Sequence, residues 1–225
     1  MDIYQLSSRY QARRKLLTTK IGLLALKGGV SKSTLSRAIA VELARSGLAV
    51  RIADLDVLQG SQVDWHRDRL GAGLSPTPAV QLHPNLDDAL AHAGDADILV
   101  LDGPARADKE TVSIAKACDL VVIPAGASLD DLRPAVRVAH SLIKAGIPSN
   151  RIICALSRIS TETEAEAARD FIVEAGYRVG SGYLPERASY RMAQNAGRAV
   201  TEVSAPTLRI AAEKVVQSII DAIPE

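Results

Sequence analysis

Aromatic residues are scarce in this chain. Phe, Trp and Tyr make up 3% of its 225 residues, with one Phe and one Trp. A core of this size must then be built from Ala, Val, Leu and Ile, which suits a parallel sheet covered by helices. Cysteine is almost absent. Cys118 and Cys154 stand far apart, in or beside apolar runs, which excludes a disulfide framework and reads as two buried free thiols in a reducing cytoplasm. The four histidines are scattered without metal-ligand spacing, so no metal centre is expected from them. The formal net charge is only +1. That excludes a global attraction to nucleic acid and leaves any such contact to a local patch. No apolar run is long enough to span a bilayer, and no signal peptide, internal repeat or low-complexity segment is visible. What remains is 47% hydrophobic and 24% charged, the balance of an ordinary globular protein. At this length one domain is the default, and its core needs no staples.

The strongest local signal is Lys27-Gly28-Gly29-Val30-Ser31-Lys32-Ser33-Thr34. It follows the apolar run Ile21 to Leu26 and leads into a helical pattern from Ser33 to Arg45. Strand, Gly-rich turn and helix in that order make a phosphate cradle. Backbone N–H groups of the turn point inward, and the helix N-terminus adds its partial positive charge. Lys32 can reach terminal phosphates as a point charge, and Ser33 can place its hydroxyl on Mg²⁺. The ordinary P-loop pattern G-x-x-x-x-G-K-[ST] is not met, because its two glycine positions fall on Leu26 and Ser31.

Two further strands end in carboxylates. Ala49 to Ala53 runs into Asp54-Leu55-Asp56, whose two acids share a face. Ile98-Leu99-Val100-Leu101 ends in Asp102, the shape of a strand whose carboxylate holds a Mg²⁺ shell. Carboxylates at the C-terminal ends of parallel strands face the ligand crevice of an open α/β sheet. Other expected strands are Ala79–Leu82, Leu120–Ile123, Ile152–Leu156 and Val179–Leu184. Helices are expected over Leu86–Ala93 with Asn85 as N-cap, from Ser128 or Asp130 to Lys144, over Ala165–Ala175 and over Leu208–Ile223. The predicted fold is α/β, a mostly parallel twisted sheet with helices on both faces. A basic arm, residues 1–20, precedes one domain, residues 21–225, built on the phosphate cradle. The arm carries Arg9, Arg13, Arg14 and Lys15 beside Ile3, Leu6 and Tyr10. It reads either as a DNA or partner contact or as a solvated arm packed on the body.

The octapeptide, with its second lysine at the head of the loop, resembles the deviant Walker A box K-G-G-x-x-K-[ST]-[ST] of the ParA/MinD ATPases. Asp102-Gly103-Pro104-Ala105 is similar to that family's D-x-P-[PA] switch. Asp54-Leu55-Asp56-Val57-Leu58-Gln59-Gly60 resembles its D-x-D-P-Q-G segment, with the proline missing and one residue added. Ser157-Arg158 stands where the family often has Asn-Arg. The resemblance spans roughly residues 20–222 and implies an ATPase that closes as a homodimer around two Mg²⁺·ATP. Lys27 would reach the partner's phosphates, Asp56 would position the attacking water, and Asp54 would support the metal shell with Ser33 and Asp102. Leu184 and Pro185 would pack on the adenine. The absence of an N-K-x-D guanine motif favours ATP over GTP.

The resemblance further implies non-specific DNA binding by basic residues of the C-terminal half, here Arg187, Arg191, Arg198, Arg209 and Lys214. The competing reading of these is a solvated face interspersed with Glu186, Glu202 and Glu213. Cytoplasmic, nucleoid-associated cargo positioning follows from the family, a plasmid foremost, with a ParB-like centromere-binding or cargo adaptor protein that stimulates hydrolysis. The terminal helix lacks the basic, bulky-apolar character of a membrane-surface helix, so no membrane role is expected. Two other classes compete. One is a P-loop ATP-dependent synthetase or kinase-like enzyme of small molecules, for which no substrate constellation is visible. The other is an iron–sulfur reductase, for which neither cysteine falls just beyond Asp102.

Overall fold

The computed structural model describes residues 18–105 and 109–224. Seven strands form one sheet in the order β3-β2-β4-β1-β5-β6-β7. They are β1 (Thr19–Ala25), β2 (Val50–Asp54), β3 (Ala79–Leu82), β4 (Ile98–Ala105), β5 (Leu120–Ala125), β6 (Ile152–Ile159) and β7 (Leu184–Pro185). Every pairing between them is parallel. Parallel strands need crossovers, and helices supply them: α1 (Lys32–Arg45), α2 (Ser61–Gly71), α3 (Leu86–Ala91), α4 (Lys109–Ala117), α5 (Leu129–Lys144) and α6 (Glu162–Glu174). Two more, α7 (Ala188–Asn195) and α8 (Pro206–Ile220), follow β7.

Side-chain alternation divides the core into two apolar layers. Ile21, Leu23, Ile98 and Val100 face one layer with Leu35 and Ile39 of α1, Trp65 of α2 and Val215 and Ile219 of α8. Leu24, Leu99 and Leu101 face the other with Ile114 of α4, Leu132 and Val138 of α5 and Ile172 of α6. Strands buried on both faces read as continuous apolar runs, which is why β1, β4 and β5 were plain in the sequence. Gly22 lets α4 close on β1, since a Cβ there would stand 2.7 Å from Cys118 Sγ. Both cysteines are free and buried, and burial pushes each thiol up to about 12.

Two expectations are amended. Thr19 and Lys20 belong to β1, tied by Thr19 N–H to Asp97 O at 3.0 Å and Lys20 N–H to Asp119 Oδ2 at 2.7 Å. Residues 1–17 of the proposed basic arm lie outside the described residues. The strand expected over Val179–Leu184 is reduced to a bridge between Cys154 and Val179 and the two-residue β7. Gly182, at φ 73°, turns the chain between them. Among the described residues no helix is long and apolar enough to cross a membrane.

Candidate nucleotide-binding site

The carboxyl edge of the sheet beside β1 carries the chemistry, as expected for an open parallel sheet. The loop between β1 and α1 wraps the helix N-terminus. Gly29 (φ 78°) and Ser31 (φ 74°) are both left-handed. Ser31 O accepts from Leu35 N–H at 3.0 Å and so starts the helix. A cleft of about 430 Å³ opens over the loop, lined by Gly28, Gly29, Ser31, Lys32, Ser33 and Thr34. Val30 is buried and turns its side chain away from the cleft. Leu184 and Pro185 line the same cleft on the β7 side, where an adenine contact was expected.

Ser31 occupies a conformation that L-residues adopt at a cost of roughly 1–2 kcal/mol. Its hydroxyl accepts a hydrogen bond from Ser157 Oγ at 2.7 Å, so the two departures from the family pattern meet each other. Arg158, itself left-handed at φ 60°, donates from Nη1 to Gly29 O at 2.9 Å and from Nε to Glu186 Oε2 at 2.9 Å. The end of β6 thus holds the loop at two points. Ser31→Gly is expected to relieve the strain while losing a hydrogen bond worth about 0.5–1.5 kcal/mol net. The protein should stay folded and its ATP affinity should not fall. Ser157→Ala keeps the strain and removes the bond, so it should be the more destabilising of the two in denaturant melts. The reverse order, or a marked loss of ATP affinity in Ser31→Gly, would show that the hydroxyl pair dominates the loop.

Asp54, the last residue of β2, and Asp102, inside β4 rather than at its end, are register partners, and they do different work. Asp54 Oδ1 accepts from Asp56 N–H at 3.0 Å and Oδ2 from Gln62 N–H at 3.1 Å. Both its oxygens therefore hold the loop of residues 55–60. Burial pushes its carboxyl up to about 6, against those two N–H groups and with the Asp102 and Asp56 charges adding to the rise. Asp102 Oδ2 accepts from Gln62 Nε2 at 2.8 Å, while its buried Oδ1 has no hydrogen-bond partner among the described residues. Burial raises this carboxyl too, against Ser33, Gln62 and the Lys32 and Arg37 charges. Asp56 lines the cleft. A buried carboxylate oxygen without a partner, beside a helix opened by Lys32 and Ser33, is a donor set suited to a hard divalent cation, so Mg²⁺ fits here.

Gln62 was not anticipated. It is fully buried and joins four partners. Besides Asp54 and Asp102, its Nε2 donates to Ser33 O at 3.3 Å, and its Oε1 accepts from Arg37 Nε at 2.9 Å. Arg37 of α1 also donates to Ser61 O at 2.7 Å and to Gln194 Oε1 at 3.1 Å, and its guanidinium lies 5.4 Å from the Trp65 ring. Burial lowers its pKa to about 10, against the Asp102 and Asp54 charges. Phosphate loop, switch loop and α7 are therefore one hydrogen-bonded unit.

Lys27 stands apart from that unit. Its side chain is 52% exposed, does not line the cleft, and pairs through Nζ with Asp131 at 2.7 Å. Arg187 and Arg191 line the mouth of the cleft, and both bond to Glu186, Arg187 Nη1 to its carbonyl at 2.9 Å and Arg191 Nη1 to Oε1 at 2.6 Å. Arg198 is exposed; its backbone N–H donates to Ala193 O at 2.9 Å and its carbonyl accepts from Trp65 Nε1–H at 3.2 Å. Arg209 lies 3.7 Å from Glu213, and Lys214 lines a separate groove with Arg178.

A glycine-rich loop at a helix N-terminus, with Asp54 and Asp102 on the strands beside it in an all-parallel sheet, defines a P-loop fold. The second lysine of its loop gives the deviant Walker A form, and the fold is that of the MinD and ParA ATPases. A proposed plasmid partition protein of Borrelia burgdorferi B31 bound to AMPPNP superimposes with TM-score 0.72 at 15% identity, covering 92% of this chain and 100% of that one. The septum site-determining protein MinD of Pyrococcus horikoshii OT3, complexed with Mg-ADP, gives 0.70 at 18%, covering 89% and 95%. A ParA family ATPase of Chlorobium tepidum TLS gives 0.63 at 16%, covering 91% and 99%. No family model and no curated protein matches the chain. The likeness is one of fold.

Proposed function

We propose that this protein is a ParA-type ATPase that binds Mg²⁺·ATP, closes as a dimer, holds DNA without sequence preference and lets go after hydrolysis. The observation that carries the reading is the split of the two loop lysines. Lys32 lines the cleft, whereas Lys27 stands outside it on the protein surface. A cation held beside a nucleotide cleft but not within it is placed to serve a second subunit's cleft. Similar folds solved with Mg-ADP and with AMPPNP support the choice of nucleotide.

In this mechanism backbone N–H groups of residues 28–34 cradle the phosphates, and Lys32 neutralises the terminal ones. Ser33 and Asp102 would hold Mg²⁺, which supplies charge neutralisation at the phosphates when bound; Asp54 supports them by fixing the adjoining loop. Asp56 orients a water against the γ-phosphorus. The bond from that phosphorus to the bridging oxygen of the β-phosphate breaks, and ADP and phosphate leave. Lys27 of the second subunit meets the charge that develops. Gln62 links Asp102 to Arg37 and, through Gln194, to α7, so loss of the terminal phosphate has a direct path to the segment bearing Arg187, Arg191 and Arg198. These arginines, with Arg209 and Lys214, are assigned to phosphate contacts on DNA. A ParB-like centromere-binding or cargo adaptor would stimulate hydrolysis, and cargo positioning, foremost of a plasmid, is the consequent role in a nucleoid-associated protein.

The test is DNA binding with ATP, with ADP and without nucleotide, on unrelated duplexes at two salt concentrations. ATP alone should drive binding to every duplex, and affinity should fall steeply with salt, as phosphate-directed contacts require. Absence of DNA binding in every nucleotide state would overturn the functional reading while leaving the fold intact.

A further inference from the structure

The four histidines carry no ligand spacing along the chain, yet the fold brings two of them together around an acid. His83 follows β3, and His92 caps the C-terminus of α3. Asp88 lies in the first turn of that helix. One ligand atom from each of His83, Asp88 and His92 can be chosen such that all lie within 4.8 Å of one another. His83 Nδ1 stands 2.7 Å from Asp88 Oδ2, His92 Nδ1 stands 3.4 Å from Asp88 Oδ1, and the two imidazole rings are 5.7 Å apart.

The scaffold is fixed on each side. The His83 side chain is only 4% exposed, and its backbone N–H donates to Asp54 O at 2.9 Å. The Asp88 N–H is held by Asn85 Oδ1 at 2.9 Å, the cap that the sequence predicted. His92 Nδ1 lies 2.8 Å from Asp88 O. His92 is 54% exposed, so the group opens to solvent on that side. Two imidazoles and one carboxylate with an open outer position are the ligand types and number of a three-ligand zinc site.

We propose that His83, Asp88 and His92 bind one divalent transition metal ion, with Zn²⁺ the best match to this nitrogen and oxygen set. The ion takes the place of the proton that His83 and Asp88 now share, and water completes its coordination. It joins the end of β3 to both ends of α3, next to the strand end that positions Asp54. This site is separate from the nucleotide cleft, whose lining includes none of the three residues. Arg51 lines the same small cavity as His83 and His92, so a doubly charged ion meets one opposing charge.

The experiment is titration of chelator-treated, full-length protein with Zn²⁺, followed calorimetrically in the presence of saturating Mg·ADP to occupy the cleft. Thermal melts run alongside, and Co²⁺ serves as the spectroscopic probe. Wild type should take up one Zn²⁺ per chain, melt higher with Zn²⁺ present, and give ligand-field absorption with Co²⁺. Changing a partner outside the ligand shell weakens metal sites by about 10–100-fold, and losing a ligand should do no less. His92→Ala, at an exposed position, should therefore lose the calorimetric and cobalt signals while remaining folded. Asp88→Asn should do the same. No Zn²⁺ uptake by the wild type, or uptake unchanged in His92→Ala, would overturn the proposal and leave the three side chains as a hydrogen-bonded staple between β3 and α3.

Discussion

Lys27→Ala is expected to bind ATP about as well as the wild type and to lose roughly 10³–10⁵ of its stimulated turnover, the range seen when a trans cation at a phosphoryl transition state is removed. That corresponds to about 4–7 kcal/mol of barrier. Binding should survive because Lys27 contributes nothing to the lining of its own cleft. Its ion pair with Asp131 is 52% and 19% exposed on the two sides, and pairs of that kind contribute only about 0–1 kcal/mol. Subunit closure can therefore break it at little cost. Lys32→Ala is the contrasting variant, since Lys32 does line the cleft, and it should lose nucleotide binding itself. Nucleotide affinity and single-turnover hydrolysis measured on both proteins separate the two roles. Mixing Lys27→Ala with Asp56→Ala adds the decisive arm. A mixed dimer regains one site having both its own Asp56 and the other subunit's Lys27, so activity should partly return. No recovery on mixing would place Lys27 in its own subunit's chemistry.

The parts of this site that were legible in the sequence are those encoded by neighbours in the chain. The loop of residues 27–34 follows one apolar run and Asp54 and Asp102 follow others, and the sheet brings them together, with β4 running on past Asp102 to Ala105. Leu184 and Pro185, expected to pack on the adenine, line the cleft although their strand did not form as predicted. What escaped was polar and buried. The buried stripe of α2 is Gln62, Trp65 and Arg69, spaced three and four apart as a core face should be. A hydrophobic pattern cannot register a stripe in which two of three members are polar. The sequence also could not distinguish the roles of Asp54 and Asp102. Asp54 spends both oxygens on backbone N–H groups and Asp102 leaves one without a partner among the described residues. The His83–Asp88–His92 cluster is local in sequence, Asp88 and His92 standing at i, i+4, but it also needs the turn after β3 that brings His83 onto Asp88.

Arg69 gives the largest expected effect on stability. It is 0% exposed and makes a forked pair with Glu202, Nη1 to Oε2 at 2.6 Å and Nη2 to Oε1 at 3.0 Å. Its remaining donors reach Pro76 O at 3.0 and 2.6 Å and Gly197 O at 3.1 Å. The Trp65 ring lies 5.5 Å from its guanidinium. Backbone approaches so closely here that a Cβ on Gly197 would stand 2.3 Å from Arg69 N. Arg69→Met leaves Glu202 buried without its main counter-charge, and should destabilise the protein by about 3–5 kcal/mol. Arg69→Met combined with Glu202→Leu should recover much of that loss, because most of it is the unpaired charge rather than the value of the pair. Urea unfolding of the two single variants and the double variant measures the coupling directly. Failure of the double variant to recover stability would assign the loss to the Pro76 and Gly197 carbonyls instead.

The pair also sets an acid limb. Burial works to raise the Glu202 carboxyl, but hydrogen bonds from Arg69 and Ala199 N–H, with the Arg69 and Arg45 charges, hold it below its ordinary 4.5. A depressed folded-state pKa means that its contribution is present above about 4.5, the unfolded value, and is lost as pH falls through the lower folded value. Glu202→Gln should therefore flatten the decline of wild-type stability below that pH. An unchanged decline would show that other carboxylates govern acid unfolding. The same forked pair ties α2, the helix that begins at the switch loop, to the 3₁₀ turn Val200–Glu202 just before α8.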